Sequence, residues 1–444
     1  MLTNFSEHIN SRFSFLKDKK LLIAVSGGVD SVVLTYLLYQ LNFKISLAHC
    51  NFRLRGKDSD QDEIFVKELA KQLEVPVFTT SFETEKVAKQ EKLSIQVAAR
   101  KLRYKWFDKI IIENNLDFLL TAHHTDDNLE TFLINTIRGT GLEGLTGIPE
   151  KNEYIIRPLL PFSREQIEKY AKDNALKWRE DSSNIETKYL RNKIRHAIIP
   201  ILKELNPGIL SSFTKTIENL TGSRQIIDDV ITVVKNTVVI PAQAGIQKIN
   251  IAKLKQYNNP KAYLYELLKE YSFTEWNDVV SLLDGQSGKQ VLSDTHRLIK
   301  DRDFLLLTKL HSAKTEQNLY VLNENDTVFE NSEVKLKLTN QNISNSVLNT
   351  PPKFQDSILI DRDKLKFPLT VRKWEKGDYF YPFGMQGKKK LSKFFKDEKI
   401  SILQKEKIWL LCSEDQIVWV IGKRLDDRFK ITDTTKNILK IENQ

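Results

Sequence analysis

Cysteine is almost absent: Cys50 and Cys412 are the only two in 444 residues. Two isolated cysteines cannot build a Cys-rich zinc site, an iron–sulfur cluster or a disulfide framework. Long apolar runs are missing as well. The longest, such as VVLTYLL (32–38) and IWLLC (408–412), fall far short of the roughly 20 residues a membrane span needs. The opening MLTNFSEHINSRFSFLKDKK has neither an apolar core nor a small-residue cleavage site, so no secretory signal is expected. Internal repeats and low-complexity tracts are lacking too. These absences lead us to expect a reduced, cytoplasmic protein with no membrane partner. What is present is ample core material, 41 % hydrophobic residues, in a length that suggests two or three domains. Sixty-eight Lys and Arg against 58 Asp and Glu leave a net charge of +10, which suits a polyanionic partner such as nucleic acid.

The first half alternates strand and helix patterns. Apolar runs of strand length at Leu21–Val25, Lys44–His49, Val75–Phe82 and Asp117–Ala122 are separated by helical periodicity over Val29–Leu41, Ser59–Leu73 and Ser94–Asn114, with Thr125–Ile137 following. Such alternation predicts an α/β fold with a doubly wound parallel sheet. Right-handed crossovers would bring the carboxyl ends of all its strands to one edge, where ligands bind. Helical patterns continue over Arg164–Asn174, Lys188–Leu205 and Ile209–Lys235. Residues 248–310 read as a small, mainly helical unit ending in a strand at Asp303–Thr308, and 312–350 as a polar linker with hints of short strands. From Ile358 the chain turns β-rich around one basic helix. The expected domains are 1–215, nucleotide-binding and catalytic; 216–350, mainly helical and linking; and 351–444, basic and α+β.

The strongest chemical signal is Ser26-Gly27-Gly28-Val29-Asp30-Ser31, at the first strand–helix junction. A helix N-terminus offers unpaired N–H groups and partial positive charge. Two glycines let the backbone close round a phosphate, and Ser26 and Ser31 add hydroxyls. The loop lacks the Lys-Ser/Thr ending of a Walker A motif and the GxGxxG of a dinucleotide fold. Placed after an apolar strand, SGGVDS resembles the pyrophosphate-loop ATPases, which split ATP into AMP and pyrophosphate. That group includes GMP, NAD and asparagine synthetases and several tRNA-modifying enzymes.

Further segments narrow the resemblance. They are His49-Cys50-Asn51-Phe52-Arg53-Leu54-Arg55-Gly56; Ala98-Ala99-Arg100 with Arg103-Tyr104; and the HHTDDNLET string from His123 to Thr131, running on to Arg138-Gly139-Thr140-Gly141. Arg157-Pro158-Leu159-Leu160, Trp178 to Asn184 (WREDSSN) and Arg191-Asn192-Lys193-Ile194-Arg195-His196 follow. Together with Arg372-Lys373-Trp374-Glu375-Lys376-Gly377-Asp378 and Pro382 to Leu391 they resemble the tRNA(Ile)-lysidine synthetase family, over about 1–205 and again in the C-terminal part. The resemblance implies a ligase acting on the wobble cytidine of the CAU anticodon of tRNA(Ile). ATP adenylates the C2 oxygen of the base, and free L-lysine then displaces AMP to give lysidine.

Under that resemblance Ser26, Gly27, Gly28, Val29, Asp30, Ser31, His49 and Arg100 are expected at ATP, with Asp30 also catalytic and a candidate Mg²⁺ ligand. Asp127 is the second catalytic candidate. Asp126 and Glu130 are expected to bind the lysine ammonium, because clustered carboxylates at a helix start can hold a cation and one must accept its proton. Which carboxylate does which is not readable from the sequence. Adjacent His123 and His124 diverge and form no HExxH face, so no zinc is expected; they are open to a role near ATP or the base, or to packing. Phe52 stands where the family usually has a histidine. For tRNA the candidates are Arg191 and Arg195, and Lys388, Lys389, Lys390 and Lys393 around Phe394-Phe395, where residues 384–407 hold eight lysines against three acids. Trp409 and Trp419 are expected in the core of a hairpin. A homodimer is left open. No glutaminase domain is visible to support a GMP- or NAD-synthetase reading, and two cysteines are few for a tRNA thiolase.

Overall fold

A computed structural model of the chain describes residues 1–54, 56–179, 190–241, 245–310, 319–341 and 356–444. Arg55, residues 180–184 of the WREDSSN segment and the start of the Lys188–Leu205 pattern lie outside them. The chain divides into two compact units, Met1–Asp229 and Val230–Gln444.

The first unit runs α1 (Leu2–Arg12), β1 (Lys20–Ala24), α2 (Val29–Gln40), β2 (Lys44–Asn51), α3 (Lys57–Gln72), β3 (Val77–Ser81), α4 (Thr84–Glu91), α5 (Ile95–Asn114), β4 (Phe118–Leu120), α6 (Thr125–Arg138), α7 (Leu142–Leu145), β5 (Lys151–Asn152), β6 (Ile155–Ile156) and α8 (Arg164–Asp173). The sheet order is β3-β2-β1-β4-β6-β5. All neighbours are parallel except the short β5, which runs antiparallel to β6. Strand alternation sorts the core. Leu21 and Ile23 join Ile9, Leu34, Leu37, Val66 and Ile167 on the face covered by α1, α2, α3 and α8; Leu22 turns the other way to Phe107 and Ile110 of α5. The strand order reverses between β1 and β4, which opens a crevice beyond their carboxyl ends.

After α8 the helical stretch expected over 188–205 contains a wider turn. Residues Leu190–Lys193 are α-helical, Ile194–Ile198 form a π turn, and Ile199–Leu205 resume the α-helix. Pro200 lacks an N–H and its ring crowds the preceding turn, which accounts for the local unwinding. Ile194, Ile199 and Phe213 pack on Leu129 of α6, fixing this segment beside the start of the acidic helix.

In the second unit the helices Pro260–Leu268 and Trp276–Ser281 pack against a five-stranded antiparallel sheet, in the order Val239–Pro241, Gln247–Asn250, Phe304–Lys309, His296–Asp301, Gln290–Leu292. Within the expected polar linker, the hinted strands are Leu319–Leu322, Val328–Glu330 and Lys335–Gln341. Leu319–Leu322 pairs with Leu369–Lys373, and Lys335–Gln341 with Ile438–Asn443. Trp409–Ser413 and Gln416–Val420 form the expected hairpin, with Trp409 and Trp419 in its core. No helix among the described residues is long and apolar enough to cross a membrane.

Candidate active site

A cavity of about 780 Å³ opens at the carboxyl ends of β1, β2 and β4, in the crevice that the strand order creates. The turn from β1 into α2 forms one wall. Gly27 has φ +97°, a conformation that strains any residue with a Cβ, so the glycine is required by the backbone itself. Gly28 is the N-cap of α2. The Ser31 hydroxyl donates to the Gly28 carbonyl (2.9 Å) and lies 3.4 Å from the Ser26 hydroxyl. The Arg179 amide donates to the Gly27 carbonyl (3.0 Å), and its guanidinium pairs with Asp62 on α3. Ser26 and Ser31 line the cavity, while the Val29 side chain is buried in the core below the loop.

Asp30, in the first turn of α2, faces the same space. One carboxylate oxygen accepts from Arg164 of α8; the other, Oδ1, is buried with no hydrogen-bond partner among the described residues. His124 Nε2 stands 3.8 Å from that oxygen. Burial is the largest influence on this carboxyl and raises its pKa, against the opposing pull of His124 and Arg164. An unsatisfied carboxylate oxygen beside a phosphate loop is costly unless a cation or donor completes it. Asp30 therefore fits as one oxygen ligand of Mg²⁺, a hard ion that keeps several waters and substrate oxygens in its shell. No cluster of three or more His, Cys, Asp or Glu suited to a metal occurs among the described residues.

The opposite wall begins where β4 ends. His123 is hydrogen-bonded to the Thr121 hydroxyl (2.9 Å), and burial pushes its pKa down to about 4, so the ring is neutral at pH 7. His124 is the N-cap of α6, and its amide donates to Asp127 (3.2 Å). Asp127 lines the cavity. Burial works to raise its pKa but is outweighed by His124, His123, Arg191 and Arg195, so the carboxyl stays ionised below its ordinary value. Asp126 and Glu130 do not line the cavity, and their oxygens are already engaged. Asp126 accepts from Lys203 (2.6 Å) and from the Arg164 amide (2.9 Å). Glu130, 1 % exposed, accepts from Arg191 (2.7 Å) and Arg195 (2.6 and 3.0 Å).

Two expectations change accordingly. Asp126 and Glu130 hold cations of the protein's own rather than presenting free carboxylates to an amino acid. Arg191 and Arg195 turn inward to Glu130 and Asp127 rather than standing out as a phosphate-binding ridge, although Arg191 also reaches the cavity wall. Arg164, Arg179 and Lys203 hold carboxylates around the cavity, at Asp30, Asp62 and Asp126; of the three, the sequence pointed only to Arg179, within the WREDSSN segment.

Comparison with known proteins agrees with this architecture. Residues 1–202 match the PP-loop domain family, 242–310 the TilS substrate binding domain and 369–442 the TilS substrate C-terminal domain. The chain is 41 % identical over 425 residues to a tRNA(Ile)-lysidine synthase of Parabacteroides distasonis, covering 95 % of each. It is 39 % identical over 438 residues to one of Bacteroides thetaiotaomicron, covering 97 % of each. The chain belongs to the tRNA(Ile)-lysidine synthase family.

Within this family fold, His49 supports the loop from behind. Its Nδ1 donates to the Val25 carbonyl (2.9 Å), and burial lowers its pKa, leaving it neutral. Arg100, exposed on α5, lies with its guanidinium carbon 4.9 Å from the Tyr104 ring centre and borders the cavity. Phe52 stacks on Phe82 (5.7 Å between centres, 27° between planes), and the Arg103 guanidinium lies 5.1 Å from its centre. That position is therefore an aromatic stack, offering none of the proton chemistry a histidine would bring. In the second unit Lys388, Lys390 and Lys393 are exposed; Lys389 pairs with Asp397 (2.7 Å), and Phe394 and Phe395 are core.

Cys50 borders the cavity, but burial pushes its thiol up to about 12. At pH 8 roughly one thiol in 10⁴ is then ionised, and the thiolate is the reactive form. Alkylation of Cys50 by iodoacetamide at pH 8, followed by mass spectrometry, should run at least tenfold slower than that of free glutathione. A rate equal to glutathione's would show an ordinary accessible thiol instead of a suppressed one, and a faster rate an activated cysteine.

Proposed function

We propose that this chain converts the wobble cytidine of tRNA(Ile) to lysidine, using ATP and free L-lysine and releasing AMP and pyrophosphate. The observation that carries this reading is geometric: the glycine turn, the unsatisfied Asp30 oxygen and the ionised Asp127 open on one cavity large enough for more than one substrate.

The 26–31 turn and the start of α2 hold the pyrophosphate of ATP; the Ser26 hydroxyl donates to its oxygens, and Ser31 braces the turn through its bond to the Gly28 carbonyl. The C2 oxygen of the cytosine attacks the α-phosphorus, the bond to the pyrophosphate breaks, and the base becomes a C2-O-adenylate. Arg100 at the cavity border offsets charge on the phosphates. Mg²⁺ held at Asp30 would supply further neutralisation of the leaving group.

The second step joins the lysine amine to C2 and breaks the C2–O bond to AMP. An amine near its ordinary pKa of about 10.4 arrives protonated, so a carboxylate must both attract it and take a proton. Asp127 has that position and charge state. Glu130 and Asp126 act from behind it: Glu130 secures Arg191 and Arg195 against Asp127, and Asp126 ties α6 to α8 through the Arg164 amide. An arriving ammonium would compete with these guanidiniums for Asp127. Neutral His123 and His49 shape the cavity and carry no charge into it. We assign the first 215 residues to catalysis and the basic C-terminal part to tRNA contact, through Lys388, Lys390 and Lys393.

Incubation of the purified protein with labelled lysine, ATP and a CAU-anticodon tRNA(Ile) transcript, followed by nucleoside analysis, should yield lysidine with equimolar AMP and pyrophosphate. Release of ADP and orthophosphate, or a labelled product other than lysidine, would overturn the reading.

A further inference from the structure

The C-terminal domain carries a second aromatic and basic cluster that the lysine-rich helix does not explain. Tyr379–Phe380 pairs antiparallel with Lys389–Lys390, Tyr379 opposite Lys390 and Phe380 opposite Lys389. Strand alternation gives this small hairpin two unlike faces. Phe380 is fully buried and packs edge-on against Phe394 (5.1 Å), while Tyr379, 47 % exposed, and Lys390 are presented outward. Lys388 Nζ lies 4.9 Å from the centre of the Tyr379 ring.

Tyr381 follows at once, its ring 6.4 Å from that of Tyr379 and at 74° to it. The Arg428 guanidinium carbon lies 4.5 Å from the Tyr381 ring centre. Asp426 fixes this arrangement. It is 0 % exposed and accepts twice from the Arg428 guanidinium (2.9 and 2.8 Å), once from the Arg428 amide (3.0 Å) and once from the Tyr381 amide (2.9 Å). The Arg428 guanidinium and the backbone at Tyr381 are thus held in place before anything binds. Aromatic and guanidinium planes flanked by lysines fit one kind of ligand best: an unpaired base, stacked on an aromatic or guanidinium face, with its phosphate near an ammonium. A duplex hides its base faces, so it would use only the lysines.

We propose that Tyr379, Tyr381 and Arg428 form a stacking platform for an unpaired segment of the tRNA substrate, with Lys388 and Lys390 contacting its phosphates. The proposal rests on the tRNA-modifying reading but is measured without catalysis.

The test is fluorescence anisotropy of the full chain with a tRNA(Ile) transcript, a single-stranded hexaribonucleotide and an RNA duplex of the same length. Stacking contributes about a five- to hundredfold change per base. Tyr379→Leu should weaken tRNA and hexamer binding at least fivefold and leave duplex binding within twofold. The slope of log Kd against log salt should not change, because no phosphate contact is lost. Lys388→Gln with Lys390→Gln should instead flatten that slope, and Tyr379→Phe should bind like the unaltered chain. Tyr379 is exposed, so its loss leaves the core intact; Tyr381→Leu, checked by thermal melting, is the second variant and should act alike. Unchanged hexamer affinity in both leucine variants, equal losses for duplex and hexamer, or preference for an acidic peptide over the hexamer would overturn the platform. Failure of lysidine formation in the separate assay, with these binding differences intact, would remove the catalytic reading and leave the platform standing.

Discussion

Asp30→Ala should lower tRNA-dependent formation of AMP and pyrophosphate by about 10²–10³-fold while tRNA affinity stays within twofold. The size follows from what the carboxylate does. Removing one preorganised electrostatic partner of a developing charge typically costs 10²–10³ in turnover, and Asp30 sits in a buried setting where such interactions are poorly screened. Its Oδ1 has no hydrogen-bond partner among the described residues, so little of the fold depends on that oxygen. Its other oxygen meets Arg164, which also has Glu168 as a partner at 2.7 Å, so the guanidinium is not stranded by the substitution. The melting temperature should accordingly move by only a few degrees. Asp30→Asn separates charge from shape: it retains an acceptor for Arg164 but not a full negative charge. Both variants should be equally impaired in AMP formation, and raising Mg²⁺ should partly restore Asn before Ala. Turnover within threefold of the unaltered chain for both would remove Asp30 from the reaction.

Much of this site could be seen in the sequence because its parts are local. The turn, its glycines and the first turn of the following helix lie within six residues, and Asp126, Asp127 and Glu130 lie within five. The parallel strands were legible because burial on both faces makes them continuous apolar runs, as at Leu21–Ala24. What was hidden is pairing at long range. Arg164 meets Asp30 across 134 residues, Arg179 meets Asp62 across 117 and Lys203 meets Asp126 across 77. No spacing rule on one helix reports such pairs. Arg191 and Arg195 did show their shared face, four residues apart, but a basic face looks the same whether it meets RNA or a buried glutamate. Short or polar elements were also hidden. Helix α4 buries only Thr84 and Ala88, and strands such as Gln290–Leu292 and His296–Asp301 carry too few apolar residues for a period of two to stand out. Hence only one strand of the middle sheet was anticipated.

The inward turn of Arg191 and Arg195 makes Glu130 a residue whose loss should destabilise the first unit. Glu130 is 1 % exposed, and three hydrogen bonds from two guanidiniums meet its oxygens. Deleting one partner of a buried ion pair generally costs about 3–5 kcal/mol, because the other is left uncompensated in a poorly solvated place. Here the arginine side chains keep 43 % and 32 % of their exposure and Asp127 remains nearby, so they can partly rehydrate or re-pair. That reduces the expected loss to about 2–3 kcal/mol, a fall of about 4–12 °C in the melting of the first unit. Arg195→Ala should cost less, since Arg191 still neutralises Glu130, and Glu130→Gln should fall between the two. The measurement is thermal unfolding at neutral pH, with lysine KM taken on the same preparations. A structural Glu130 lowers the melting temperature in the order Ala, Gln, unaltered, and raises lysine KM only as far as Asp127 is displaced. A Glu130→Ala variant that melts like the unaltered chain yet loses lysine affinity tenfold or more would assign this carboxylate to the amino acid itself. The arginines would then be placeholders for the incoming ammonium.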